Sequence, residues 1–287
     1  MKMPVYWGCK ILASEYIYEI SLRAVAQKLG VQLVDIEDAA CCGMPIRNIS
    51  SLAATYMATR ILELATRTGM HEMLLPCSLC HFSLTEASYK LQSEPGVKEK
   101  IRNLLAEEKL DLSPRLKLWH TVDFLYDCIG LETIEKQVIR PFKEVKLAVH
   151  PGCYLIRPSK LGRIDEAENP RKLDELTEAL GIEIVDYPQK LECCGGLSLQ
   201  STTALAMAGD KLKSVQASGA DGLVCACPHG FEMLDSKQGD IAASTGTKLE
   251  IPVIYYTQLL GLALGLGEGE LGLNLNRSPI DKLFAFA

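Results

Sequence analysis

The sequence predicts an α/β protein of two pseudo-repeated domains, residues 1–140 and 141–287, each a small parallel sheet flanked by helices. Short apolar segments alternate with helical segments along the chain, which is typical of strands joined by crossover helices. The order of elements and of cysteines then starts again in the second half, which indicates an internal repeat. Cysteines follow the predicted strands in both halves, so we expect cysteine loops at the strand C-terminal ends.

The first half is predicted to alternate strands and helices from its first residues. Apolar residues at helical spacing run from Tyr18 to Leu29 and stop at Gly30, with Ser14 as the expected N-cap. Ser50 or Ser51 is the expected cap of a long helix ending near Thr68. The remaining predicted elements are strands at 4–8, 31–36, 72–76 and 116–119, and helices at 81–91, 97–109 and 121–129.

The second half repeats this order. Gly181 is expected to end a helix that begins near Pro170. The apolar stretch 251–267 is interrupted by polar residues and is too short for a membrane span, so it is predicted to be a buried strand followed by a helix. The predicted strands are 145–149, 182–185, 221–224 and 252–256, and the predicted helices are 170–180, 202–217 and one from Thr257.

Composition excludes several classes of protein. The chain has 287 residues, enough for two domains of ordinary size. Its net charge of −6 argues against a nucleic-acid-binding surface, which is usually basic. No secretory signal is apparent at the N-terminus, and eleven cysteines without such a signal indicate a reducing compartment. We therefore predict a cytoplasmic protein without a membrane span.

Ten of the eleven cysteines fall into two sets that are arranged alike. Each set has a lone cysteine, then an adjacent pair followed by glycine, then two further cysteines. We call them the first and second thiol sets, and their members are Cys9, Cys41, Cys42, Cys77 and Cys80, and Cys153, Cys193, Cys194, Cys225 and Cys227. The remaining one, Cys128, lies on an apolar helical face and is predicted to belong to the core.

Five thiols in each half suggest an iron–sulfur site. Thiolates bind iron strongly, and an ordinary [4Fe-4S] cubane needs four of them. Adjacent cysteines diverge, so they suit two different irons or an unusual cluster better than one metal ion. The glycine after each pair is expected to adopt a positive φ and to let the backbone approach a cluster sulfide. Structural zinc and a thioredoxin-type redox pair at Cys77 and Cys80 are the alternatives.

The doubled pattern resembles the CCG-domain, cysteine-rich iron–sulfur family that includes the B-type subunit of heterodisulfide reductase. The likeness covers essentially the whole chain, including 256–262 and 270–274. It implies a noncubane [4Fe-4S] cluster in each half. It also implies a complex that reduces the disulfide of coenzyme M and coenzyme B between the two clusters. The implied electron source is a ferredoxin-like subunit of the C type, supplied by a flavin subunit of the A type.

The second thiol set departs from the family pattern. If Cys227 aligns with Cys77, the position of Cys80 is taken by Gly230, and Cys225 supplies the fifth thiol. The N-terminal cluster is thus expected to be noncubane, whereas the type of the C-terminal one stays open. The departure also leaves two other roles open. The chain could be an electron-transfer subunit of a related complex, or it could act on a lipoyl or persulfide carrier in sulfur metabolism.

Three histidines next to the thiols are candidate proton donors, because reducing a disulfide consumes protons. His81 and His229 follow the downstream cysteines, and His150 precedes Cys153. The alternative for each is a helix cap or a hydrogen bond to a cluster sulfur. No Gly-x-Gly-x-x-Gly segment follows a predicted strand, so electrons are expected to come from a partner rather than from a bound flavin or nicotinamide.

Overall fold

Two four-stranded parallel sheets form the framework of the computed structural model, which describes residues 1–112, 116–198 and 201–284. The strand orders are β2-β1-β3-β4 and β6-β5-β7-β8, so the second sheet repeats the first. This confirms the predicted fold of two similar α/β units. The strands are β1 Lys2–Val5, β2 Gln32–Asp35, β3 Glu72–Leu74, β4 Lys117–Trp119, β5 Lys146–His150, β6 Glu183–Ile184, β7 Gly222–Cys225 and β8 Val253–Tyr255.

Helices flank both sheets. They are α1 Gly8–Ala13, α2 Tyr16–Lys28, α3 Ser51–Thr66, α4 Ser78–Ser93, α5 Pro95–Glu107, α6 Thr121–Asp123, α7 Leu131–Gln137, α8 Cys153–Ile156, α9 Lys172–Glu178, α10 Thr202–Ala217, α11 Pro228–Phe231, α12 Gln238–Thr245, α13 Tyr256–Ala263 and α14 Asp281–Phe284. Two π-helical segments, Phe124–Gly130 and Glu232–Ser236, extend α6 and α11. In the described ranges no helix combines the length and hydrophobicity needed to cross a bilayer.

The start of the chain differs from the prediction. The first strand ends at Val5 instead of continuing to Gly8, and α1 follows with Cys9 in its first turn. Ser14 is the residue after α1 and its hydroxyl donates to the Lys10 carbonyl oxygen at 3.4 Å, so it is not available to cap α2. By contrast Ser50 caps α3 as predicted, since its hydroxyl accepts from the Ala53 amide at 3.2 Å.

The two halves share one hydrophobic core. Tyr255 of β8 stacks between Tyr18 of α2 and Phe231 of α11, with ring centroids 4.5 and 3.8 Å apart. Beside this stack, the hydroxyls of Ser21 and Thr257 lie 2.7 Å apart. Buried residues of both sheets belong to the same cluster, and Cys128 packs half-buried against it, as predicted. The domain boundary at residues 140/141 falls between α7 and β5 and stays a prediction.

Candidate metal centres

The first thiol set lies at the C-terminal edge of the first sheet. Cys9 follows β1 in α1, the pair Cys41 and Cys42 follows β2, and Cys77 and Cys80 follow β3 at the start of α4. All five side chains line one cavity of about 800 Å³. Parallel strands bring their C-terminal ends to one edge, which explains why residues so far apart in sequence converge.

The thiols of this set contact one another. Cys42 accepts hydrogen bonds from Cys41 and Cys80, which lowers the pKa of Cys42 to about 3. Gly8 makes room for this arrangement, because a Cβ at Gly8 would lie 2.6 Å from the Cys80 sulfur. Its φ of +73° is also one that side chains rarely adopt. The backbone before Cys9 therefore leaves the space that the Cys80 sulfur occupies.

The glycine after each cysteine pair packs against a helix. Gly43 and Gly195 have φ values of +81° and +74°, which confirms the predicted positive φ. A Cβ at Gly43 would lie 2.8 Å from the Ala54 backbone, and one at Gly195 would lie 2.6 Å from the Ala204 carbonyl oxygen. Both glycines thus let the cysteine pair sit directly on the first turn of the next long helix. Approach to a cluster sulfide stays a prediction.

The second thiol set occupies the corresponding edge of the second sheet. Cys153 begins α8, Cys193 and Cys194 follow β6, Cys225 ends β7, and Cys227 precedes α11. Cys194 donates to Cys193, and this lowers the pKa of Cys193 to about 5. Burial raises the pKa of Cys227 to about 12. Within the described part of the chain, none of these thiols lines the 800 Å³ cavity.

Of the three predicted histidines, only His229 lines that cavity. It forms a hydrogen bond with Cys77, so a second-half residue reaches the first thiol set. His150 is buried beside the second set, and burial lowers its pKa well below the usual value. His81 lines a separate cavity of about 370 Å³, where Arg163 Nη2 lies 3.2 Å from its Nδ1. The three histidines therefore lie apart: His229 at the 800 Å³ cavity, His150 buried at the second set and His81 at the 370 Å³ cavity.

Several cavity residues have no signal of their own in the sequence analysis. Arg47 lines the cavity and forms a two-pronged ion pair with Glu86, at 2.7 and 2.6 Å. Lys10 also lines it and is paired with Glu232. From the second half come Tyr154 and the 196–198 segment. Arg47 follows the first cysteine pair and 196–198 follows the second, so proximity to these motifs is the signal that could have found them.

The donor sets fit iron–sulfur clusters. Soft thiolates are the ligands that such clusters use, and each set supplies at least the four that a cubane requires. Among the described residues, no three His, Cys, Asp or Glu side chains are grouped to hold a single metal ion. The first five thiols instead line the wall of a cavity. All eleven cysteines, each within the described ranges, are free thiols.

One known protein family matches each half of the chain separately. The family described as "CCG: Cysteine-rich domain" matches residues 4–85 and 147–235. The chain belongs to the CCG cysteine-rich domain family. Each matched segment contains one cysteine pair with its glycine, so the family pattern coincides with the two thiol sets.

Individual CCG-family relatives align over nearly the whole chain. The B-type subunit of the ferredoxin/F(420)H(2)-dependent CoB-CoM heterodisulfide reductase of Methanosarcina acetivorans is 34% identical over 282 residues, covering 96% of this chain and 93% of that protein. The B-type subunit of the ferredoxin:CoB-CoM heterodisulfide reductase of Methanosarcina mazei is 33% identical with the same coverage. The 8-methylmenaquinol:fumarate reductase membrane anchor subunit of Wolinella succinogenes is 30% identical and covers 96% of both chains.

A solved structure shares the fold. A hypothetical protein from Helicobacter pylori superposes with a TM-score of 0.76 at 12% identity, covering 96% of this chain. This chain spans about half of that protein, 51% of its length. At such low identity the likeness supports the α/β architecture alone.

Proposed function

We propose that this CCG-family chain is the disulfide-reducing subunit of a multisubunit complex of the heterodisulfide reductase type. The observation that carries the proposal is the 800 Å³ cavity, whose wall contains all five thiols of the first set together with second-half residues. A disulfide placed there would meet both the thiol set and His229, which line the same cavity. The B-type relatives from heterodisulfide reductases, at 33 and 34% identity over 96% of the chain, support the assignment.

The first thiol set would hold a noncubane [4Fe-4S] cluster, since it offers one thiol more than a cubane uses. The second cluster would bind to Cys153, Cys193, Cys194 and Cys227, with Cys225 buried beside them. When bound, such clusters supply one-electron transfer and iron with affinity for sulfur. Free thiols in this number suit a reducing cytoplasm, which is the compartment we propose.

The chain's own residues would bind the disulfide and handle protons. Cleaving one disulfide to two thiols takes two electrons and two protons. His229 is placed to hold one of these protons, because it lines the cavity and contacts Cys77. Lys10 and Arg47 also line the cavity, each paired with a carboxylate, and their N–H groups would be the donors for anionic end groups such as those of the heterodisulfide of coenzyme M and coenzyme B. Electrons would come from a ferredoxin-like subunit supplied by a flavin subunit.

A second candidate function is electron transfer within another complex. The relative named as an anchor subunit of a fumarate reductase aligns over 96% of the chain, so similarity to a subunit of another reductase extends over the same length. The second site also differs from the first in its thiols, because position 230, which corresponds to Cys80, is a glycine. In this case the cavity would take no disulfide.

Anaerobic purification of the complex followed by iron and sulfide analysis tests the proposal. We expect about eight irons per chain, as two [4Fe-4S] clusters require. Oxidation in the presence of coenzyme M should give an EPR signal that depends on the thiol. The complex should also reduce the heterodisulfide when a reduced low-potential dye supplies the electrons. A full complement of iron with neither a thiol-dependent signal nor disulfide turnover would favour the electron-transfer function.

A further inference from the structure

The second thiol set lacks a side chain where the first has Cys80, and the structure shows what lies there instead. The strands of the two sheets correspond, because Val5 pairs with Leu74 in the first and Val149 pairs with Val224 in the second. The next residue along each central strand segment is Tyr6 in one half and His150 in the other. By the same correspondence Cys80 is replaced by Gly230.

In the first half, position 6 contributes a side chain beside the thiols. The Tyr6 hydroxyl donates to the Ala40 carbonyl oxygen at 2.6 Å, directly before the cysteine pair. Burial raises the pKa of this phenol, and the nearby Cys80 and Cys42 thiols add to the effect. Cys80 meanwhile forms a hydrogen bond with Cys42. The equivalent position in the second half is therefore expected to face Cys194, the counterpart of Cys42.

His150 fills the space of the missing thiol. A Cβ at Gly230 would lie 3.2 and 3.3 Å from Cδ2 and Nε2 of the His150 ring, and 3.6 Å from the Cys194 sulfur. A cysteine at 230 would thus press against the imidazole, which lies beside Gly230 and next to the Cys194 sulfur. Gly230 and His150 are a matched pair: the glycine leaves room that the ring uses.

The ring also has the hydrogen bonding of a metal ligand. It is 2% exposed, and its Cδ2–Nε2 edge is the one next to Gly230, so Nε2 is the nitrogen placed to bind a metal at the second set. The buried Nδ1, on the other edge of the ring, has no hydrogen-bond partner among the described residues, and the Lys190 backbone is its polar neighbour. Metal-binding histidines usually donate one ring N–H to a carbonyl or carboxylate and leave the other nitrogen for the metal. A buried imidazole without that second partner carries an unmet polar atom.

We propose that His150 is the fifth ligand of the second cluster, in place of the thiolate that position 230 lacks. The ligands of that cluster are then Cys153, Cys193, Cys194, Cys227 and the His150 imidazole. Cys225 corresponds to Leu75, a fully buried core residue of the first half, so the inference assigns Cys225 to the core. This inference rests on the iron–sulfur site of the proposed function, but not on its disulfide chemistry.

A neutral imidazole in place of a thiolate changes the charge of the second site. It removes one negative charge, and histidine ligation raises the reduction potential in other iron–sulfur centres. Lys211 acts in the same direction, because this buried lysine interacts electrostatically with Cys194 and Cys225. The second cluster should therefore be the more easily reduced of the two.

Pulsed EPR of the anaerobic complex from cells grown on ¹⁵N-histidine tests the ligand directly. We expect one cluster to show a nitrogen hyperfine coupling of the size seen for direct iron–nitrogen bonds. The coupling should disappear in His150→Gln and persist in His120→Gln, which removes another fully buried histidine. An unmodified complex with about eight irons and only weak, hydrogen-bond-sized nitrogen couplings overturns the inference without a variant and leaves the proposed function standing.

Two further variants separate His150 from Cys225. Cys225→Ala should keep both the full iron content and the nitrogen coupling, whereas loss of half the iron from it would overturn the inference. The double variant His150→Tyr/Gly230→Cys copies the first site, so it should lose the coupling and lower the reduction potential of the second cluster. A retained nitrogen coupling in a complex that reduces no disulfide would support the inference and refute the proposed function.

Discussion

Replacing Gly43 with alanine should lower the free energy of unfolding by more than the strained backbone conformation alone explains. The positive φ of +81° carries a cost of about 1–2 kcal/mol for any residue with a Cβ. In addition, the new methyl would lie 2.8 Å from both the Cα and the carbonyl oxygen of Ala54, and backbone atoms cannot rotate away. Overpacking of this kind costs about 1–3 kcal/mol. The expected loss in the free energy of unfolding is thus about 2–5 kcal/mol.

Gly30→Ala is the matched control. Gly30 has a φ of +72°, close to that of Gly43, but a Cβ there would meet no atom within 4 Å. It should lose only the conformational part, about 1–2 kcal/mol. Anaerobic urea unfolding of both variants measures the difference, and iron analysis asks whether Gly43→Ala also loses the first cluster. Equal losses in the two variants would refute the argument that the glycine is required by contact with α3.

Three other predictions concern a helix cap, a buried carboxyl and the cavity histidine. Ser50→Ala should lower the free energy of unfolding by about 1 kcal/mol, because it removes the acceptor for an α3 amide, and Ser201→Ala at the equivalent cap of α10 should match it. Burial, with Glu232 nearby, raises the pKa of Glu15 to about 8. The folded state therefore holds a proton that the unfolded chain releases, and stability should fall as the pH rises from 4.5 to 8, by about 5 kcal/mol at most. Glu15→Gln should abolish this fall in urea titrations, and an unchanged pH profile would contradict it. His229→Gln should slow disulfide reduction about 100-fold while keeping the iron, whereas the exposed control His71→Gln should keep both the rate and the iron. Equal rates in the two variants would show that His229 takes no part in proton transfer.

The sequence was informative where the relevant signal is local. Strand alternation and the repeated cysteine pairs predicted two parallel sheets with thiols at one edge, since strand direction alone brings those loops together. The boundaries were less predictable. A helix was expected at 121–129, yet the chain continues through a π-helical segment into α7 and passes Gly130 at a φ of +92°. Glycine at a positive φ usually ends a helix, and here packing against the core allows another to begin at once.

Contacts between the halves could not be read from the sequence. His81 is one residue from Cys80, but it faces Arg163 in a separate cavity because successive helical residues point about 100° apart. His229 lies more than a hundred residues from Cys77 and yet contacts it. The pairing of Gly230 with His150 likewise depends on the register of neighbouring strands. A pattern of residue types predicts which cysteines form each set but not which second-half side chains reach the first.

The two halves are equal in framework and unequal in surroundings, and the inequality indicates a division of labour. Both cysteine pairs sit on a helix through the same glycine contact, so both sites are built by the same backbone. Only the first set, however, lines the large cavity, and the second half closes that cavity with Tyr154, 196–198 and His229. The second set is surrounded instead by His150 and Lys211, which add no negative charge of their own. On the proposed function the first site takes the disulfide and the second holds an electron easily, and the two are complementary because a two-electron cleavage needs somewhere to keep the second electron.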